Sequence, residues 1–160
     1  MTRALLALLL LALAGCATVA PRPVPNIYVM RHLNTLEGVP NAQLTAEGLR
    51  NADKVADWLA KDPPTVVLVS DTDRARATAA PTIARFKPAV LTYDPKDTPA
   101  LVAQVLASTG TVLVVGHSNT VPDIVAGLGG TRPAPLVHAD FGDIWHISGP
   151  ERTTVRSKLP

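Results

Sequence analysis

NIYVMRHLNT, residues 26 to 35, reads as a buried β-strand that runs straight into two basic side chains. Ile27, Tyr28, Val29 and Met30 suit a strand covered on both faces, and Arg31 and His32 follow without a break. Two further stretches repeat the pattern. TVVLVS (65 to 70) is a continuous apolar run that leads into Asp71 through Arg74, and TVLVVG (111 to 116) leads directly to His117.

The segments around these strands carry helical signals. TAEGLRNADKVADWLA (45 to 60) places Leu49, Ala52, Val55, Ala56 and Leu59 on one helical face, with Thr45 as N-cap. DRARATAAPTIARF (73 to 86) reads as a helix capped by Asp73, in which Pro81 must kink or restart the chain. DTPALVAQVLAST (97 to 109) has Thr98 as cap and Pro99 at the first helical position. NTVPDIVAGLGG (119 to 130) fits a helix stopped by glycines. AVLTY (89 to 93) is a short strand, and DIWHIS (143 to 148) and TTVRS (153 to 157) are weaker strands expected at the sheet edge.

Strands alternating with helices imply an α/β fold, a three-layer sandwich with a mostly parallel central sheet. Ligands of such sheets bind in the crevice at the carboxyl ends of the strands. There the three strands deliver Arg31, His32, Arg74 and His117 to one rim. Two guanidiniums and two imidazoles suggest a phosphate. Guanidinium forks match phosphate oxygens bidentately and stay charged. A neutral imidazole can attack phosphorus, and a protonated one can hydrogen-bond a phosphoryl oxygen. Phosphoryl transfer needs positioning and charge stabilisation above all, so no metal or other cofactor is expected.

These residues carry a resemblance. MRHLNT resembles the Arg-His signature of the histidine phosphatase superfamily, the group that includes phosphoglycerate mutases and small phosphohistidine phosphatases. LTAEGLRNA (44 to 52) is similar to its following helix entry, SDTDRARATA (70 to 79) to its Ser-x-x-x-Arg-Ala-x-x-Thr-Ala element, and VLVVGHSNTVPDIVAGL (112 to 128) to its second-histidine segment. The similarity spans about residues 26 to 130, with four motifs in order. It implies a phosphoglycerate mutase-like fold and a phosphatase acting on phosphomonoesters or a phosphoprotein. It implies His32 as the nucleophile that becomes phosphohistidine, Arg31 and Arg74 as holders of the phosphoryl oxygens, and His117 as the group completing the phosphate pocket. Asn34, Ser118 and Asn119 lie close enough in sequence to line that pocket.

Two departures stand out. Leu33 follows the Arg-His pair where the family usually has glycine, which narrows the backbone freedom there. Ser118 follows His117, and no acid occurs in PTIARFKPAVLTYDP before Asp94. The general acid is therefore unassigned, with Glu37 and Asp94 as candidates by loop position. Without insertions that would form a cap, the site is expected to be open. A competing reading is a catalytically weak phosphate-binding or envelope-interaction protein that kept the pocket.

The beginning of the chain bears on location. Residues 1 to 15 combine Arg3, an unbroken Leu/Ala run and small residues, the pattern of a secretory signal. Leu13-Ala14-Gly15-Cys16 resembles a bacterial lipobox, which implies cleavage and lipidation at Cys16. Residues 16 to 25 then read as a lipidated cysteine and Pro-rich tether, and 26 to 160 as one domain. The resemblance places that domain at the periplasmic face, lipid-anchored, with Ala17 favouring the outer membrane over the inner.

Composition excludes several classes. Fifteen basic residues against thirteen acidic ones, and 4% aromatics, give no reason to invoke nucleic acid. The single cysteine permits no internal disulfide, and four scattered histidines without His-x-x-x-His argue against zinc. His138 and His146 read as a loop and a strand residue, and Arg76 and Arg85 as solvated helix residues. DFG (140 to 142) lacks the Gly-rich loop and lysine strand of a kinase, and GHSNT lacks the glycine spacing of a nucleophile elbow.

Overall fold

A computed structural model of the chain describes residues 24 to 160. The expected signal segment, Cys16 and most of the tether lie outside the described residues. Among the described residues, no helix is long and apolar enough to cross a membrane.

Six strands form one sheet, β1 (Asn26–Arg31), β2 (Val66–Ser70), β3 (Ala89–Tyr93), β4 (Thr111–Gly116), β5 (Asp143–Ser148) and β6 (Thr153–Lys158). Their spatial order is β3-β2-β4-β1-β5-β6. The first four strands run parallel, and β5 and β6 add an antiparallel edge. Among the described residues four α-helices cover the sheet: α1 (Ala46–Trp58), α2 (Asp73–Phe86), α3 (Thr98–Ala107) and α4 (Val121–Gly127). This is the α/β sandwich expected from the alternation of apolar runs.

Both faces of the sheet are buried, as unbroken apolar strands require. On one face Ile27, Val29, Val112 and Val114 pack with Leu101 and Val105 of α3 and Val121, Ile124 and Val125 of α4. On the other, Tyr28, Met30, Leu113 and Val115 pack with Ala52 and Val55 of α1 and Ala75 and Ala79 of α2. Each face removes enough apolar area from water to fix the register of the central strands.

Several local expectations shift by a residue. Thr72, and not Asp73, caps α2, its hydroxyl accepting from Ala75 N–H. Asp97, and not Thr98, caps α3, its carboxylate accepting from Ala100 N–H. In both cases two adjacent residues are competent caps and the first of the two, outside the helical backbone, takes the role. Helix α2 continues as one element through Pro81. Leu49 is exposed, and Gly48 takes the buried position instead. The reason is a close approach: a Cβ on Gly48 would stand 2.6 Å from the Asn34 carbonyl oxygen. That approach lets α1 clamp the loop that follows the Arg31-His32 pair, with Thr45 N–H donating to the same carbonyl.

Candidate active site

The carboxyl ends of β1, β2 and β4 meet at one rim, where parallel strands leave their last residues side by side. Arg31 pairs with Gly116 in register, and His32 N–H donates to the Gly116 carbonyl at 2.9 Å. This brings His32 and His117 together, with ring centres 5.4 Å apart. Arg74, in the first turn of α2, places Nη2 3.4 Å from His117 Nδ1. The four residues expected at the rim are thus assembled there.

Each imidazole is held in a defined tautomer. His32 Nδ1 lies 2.9 Å from the Leu33 carbonyl oxygen, which can only accept, so Nδ1 carries the proton. The lone pair is left on Nε2. His117 has the opposite arrangement. Arg74 is a pure donor, so His117 Nδ1 accepts, and Nε2–H donates to Ser70 Oγ at 2.8 Å. Both rings are neutral at pH 7. Burial, aided by the facing His117 and by Arg31 and Arg74, lowers the His32 pKa to about 4. Burial, then Arg74 and Arg31, lowers that of His117 to about 4.

The two arginines differ. Arg31 is buried, its Nη1 donates to the carbonyls of Val137 (2.8 Å) and His138 (3.0 Å), and its Nε is buried without a partner among the described residues. Its guanidinium carbon lies 4.2 Å from the centre of the Phe141 ring. Desolvation lowers its pKa against the opposing charge of Asp140. Among the described residues the Arg74 side chain has only the long contact to His117, so its fork is free to meet an anion.

The open site expected from a chain without insertions is not what the fold builds. Arg31, His32 and His117 are each 5 to 6% exposed. The segment 131 to 142, between α4 and β5, packs against the rim through the Arg31 contacts and through Phe141, whose ring centre lies 6.1 Å from that of His32. With two prolines and no regular structure, that segment carries no periodicity that would place it in advance.

Leu33 is not a defect. It does not occur at positive φ, so the freedom of glycine is not used. Its side chain is fully buried in the core, and its N–H donates to Thr78 Oγ1 at 3.0 Å. Thr78 donates in turn to the Arg74 carbonyl at 2.8 Å, linking the nucleophile's loop to the arginine's helix. Ser70 and Thr78 are the two site residues that reading for charge overlooked. Both stand in the quoted SDTDRARATA element, and their partners lie 47 and 45 residues away. Asn34 is tied to Asn51, whose amide donates to Asn34 Oδ1 at 3.1 Å. Ser118 and Asn119 line a separate shallow groove with Pro122. Glu37 is exposed, and Asp94 is exposed and accepts from Lys96 N–H, so neither is brought to a histidine. Among the described residues no cluster of three or more His, Cys, Asp or Glu is arranged to hold a metal.

Residues 27 to 96 match the model of the histidine phosphatase superfamily, branch 1. That stretch holds Arg31, His32 and Arg74, and over it the chain is similar to this superfamily. No curated protein matches it significantly. Among solved structures, the protein histidine phosphatase SixA complexed with tungstate is similar, with 22% identity, a TM-score of 0.63, and coverage of 82% of this chain and 94% of that one. The mycobacterial glucosyl-3-phosphoglycerate phosphatase with inorganic phosphate is 17% identical, with a TM-score of 0.62 and coverage of 84% and 95%. These likenesses establish the phosphoglycerate mutase-like histidine phosphatase fold. On this rim the Ser70–His117 contact gives Ser70 a positioning role. We expect Ser70→Ala to lower kcat about 10-fold by freeing the tautomer, as loss of one buried hydrogen bond would. Ser70→Thr, which keeps a hydroxyl, should restore most of the rate. Steady-state kinetics checks both, and KM should change little.

Proposed function

We propose that this chain is a phosphatase that hydrolyses a phosphomonoester, free or on a protein, through a phosphohistidine at His32. The observation that carries the reading is the bare Nε2 of a neutral, buried His32 facing two guanidiniums. Attack by Nε2 on phosphorus needs no prior deprotonation, because Nδ1–H is fixed on the Leu33 carbonyl and stabilises the ring as it becomes cationic. Arg74, and the unpartnered Nε edge of Arg31, neutralise the equatorial oxygens. A phosphate dianion between them offsets the arginine field that adds to burial in keeping His117 neutral. His117 can then take a proton and donate it from Nδ1 to a phosphoryl oxygen. Water finally displaces the imidazole and regenerates His32.

The guanidiniums supply the charge that a metal would otherwise provide, so we expect hydrolysis of phenyl phosphate to persist in excess EDTA. A rate that collapses with EDTA and returns with a divalent cation would contradict this. A phosphate-binding protein without turnover is the second reading, motivated by the low exposure of both histidines. Inhibition or binding by inorganic phosphate without any ester hydrolysis would favour it.

We propose further that the domain acts at the cell envelope, held by lipid on Cys16. The basis is the apolar leader ending in Leu13-Ala14-Gly15-Cys16. Cys16→Ser should move the protein from the membrane fraction to the soluble one. Retention in the membrane fraction would contradict the anchor.

A further inference from the structure

A polar cavity of about 320 Å³ adjoins the catalytic rim, between the start of α1 and the segment leading into β5. Asn34, two residues beyond the nucleophile, and Phe141 belong to both the cavity wall and the surroundings of His32. Glu47 and Asn51 of α1 also line it. Phe141 is braced there by two neighbours. The Arg31 guanidinium lies over its ring at 4.2 Å, and the His138 ring meets it edge-on at 5.2 Å.

In-line displacement at phosphorus places the leaving oxygen opposite His32 Nε2, so the attached group projects away from the imidazole. Phe141 stands 6.1 Å from His32, within the range of about 4.5–7 Å over which aromatic rings pair favourably. A second observation concerns acid. Among the described residues, the hydrogen bonds of the Arg31, His32, Arg74 and His117 side chains go to carbonyls, to Ser70 and to each other, and none goes to a carboxylate. Glu47 lines the cavity but makes no hydrogen bond to these four side chains, so the arrangement favours a leaving group that is stable as an anion. A phenol ionises near 10, as tyrosine does, whereas an aliphatic hydroxyl, like water, ionises only far above that.

We propose that this cavity is the leaving-group subsite and that the substrate is the phosphate ester of a planar, phenol-type ring, on a small molecule or a tyrosine side chain. This rests on the phosphatase reading. The Nε2–P bond forms as the P–O(aryl) bond breaks, and the phenolate leaves with the bonding pair and takes a proton from solvent. Water then breaks the N–P bond, becomes the fourth oxygen of inorganic phosphate, and releases one proton.

The test uses the full chain with phenyl phosphate, free phosphotyrosine, a phosphotyrosyl peptide and glycerol phosphate. Wild type is compared with Phe141→Ala, Glu47→Gln and His32→Ala. Phe141→Ala should raise KM for the aryl esters by up to about 10-fold, the range of one aromatic contact. It should change the KM for glycerol phosphate and inhibition by inorganic phosphate much less, since these report only the Arg31 neighbour that the ring supports. Both tyrosyl substrates should follow phenyl phosphate, and the better of the two shows whether the ring arrives free or on a protein. An equal KM change on both ester classes, or phosphate inhibition that weakens in parallel, overturns the subsite. So does rapid glycerol phosphate hydrolysis that Glu47→Gln abolishes, since Glu47 would then be the acid. Hydrolysis of no ester by wild type overturns the phosphatase reading itself. His32-dependent hydrolysis indifferent to Phe141 overturns only the subsite.

Discussion

His32→Ala is expected to lower kcat for any phosphate ester by about 10⁴-fold or more, the scale seen when a covalent nucleophile is removed. The variant loses the bare imidazole nitrogen of His32, which His117 does not replace, because His117 presents Nε2–H to Ser70 and Nδ1 to Arg74. Fold should survive, since the backbone N–H that joins this loop to Gly116 is untouched. Inhibition by inorganic phosphate then reports whether the anion pocket persists. The same residue sets the acid limb of wild-type kcat/KM. His32 attacks only when neutral, and its pKa is lowered from 6.5 to about 4. Activity should therefore hold as pH falls through 6.5, once corrected for substrate ionisation, and decline only near 4. A limb near 6.5 that remains after that correction would contradict the assignment.

Arg74→Ala should reduce kcat/KM by about 10²–10³-fold, the effect of removing a preorganised charged donor from a developing oxyanion. Of the two arginines it has the freer fork, whereas Arg31 also holds the segment 131 to 142 through two carbonyls. Arg31→Ala is therefore a less clean test, because it removes a structural brace together with a charge. Arg74→Lys keeps the charge without the planar fork and should recover little of the loss. The variant should also raise the His117 pKa, since Arg74 is the leading charge that lowers it. An NMR titration of the His117 ring checks that shift, and steady-state kinetics checks the rate.

The fold was largely legible because the central strands are uniformly apolar. β2 and β4 lie between neighbours and under helices on both faces, so every position but the half-buried Val66 is buried and no alternation could mislead. Arg31, His32, Arg74 and His117 were visible as polar groups at the ends of such runs. What joins them was not. Ser70 meets His117 only because β2 and β4 are adjacent, a fact of strand order that the intervening 47 residues do not encode locally. Thr78 reads as a helical residue, yet its hydroxyl serves Leu33 and Arg74 together. Glycine was expected at 33 for its backbone freedom, but that position has ordinary φ and asks for a buried apolar side chain. Phe141 lies in an irregular segment whose path is set by Arg31, so its nearness to His32 could not be read from spacing.

The central claim is that His32 carries the phosphoryl group during turnover. The direct measurement is a rapid quench of the full chain with labelled phenyl phosphate at alkaline pH, followed by peptide mapping in the mass spectrometer. The account predicts one phosphoryl group on the peptide containing His32, appearing before product release and lost in His32→Ala. A phosphoryl group on another residue, or steady turnover with no phosphorylated peptide, would contradict it.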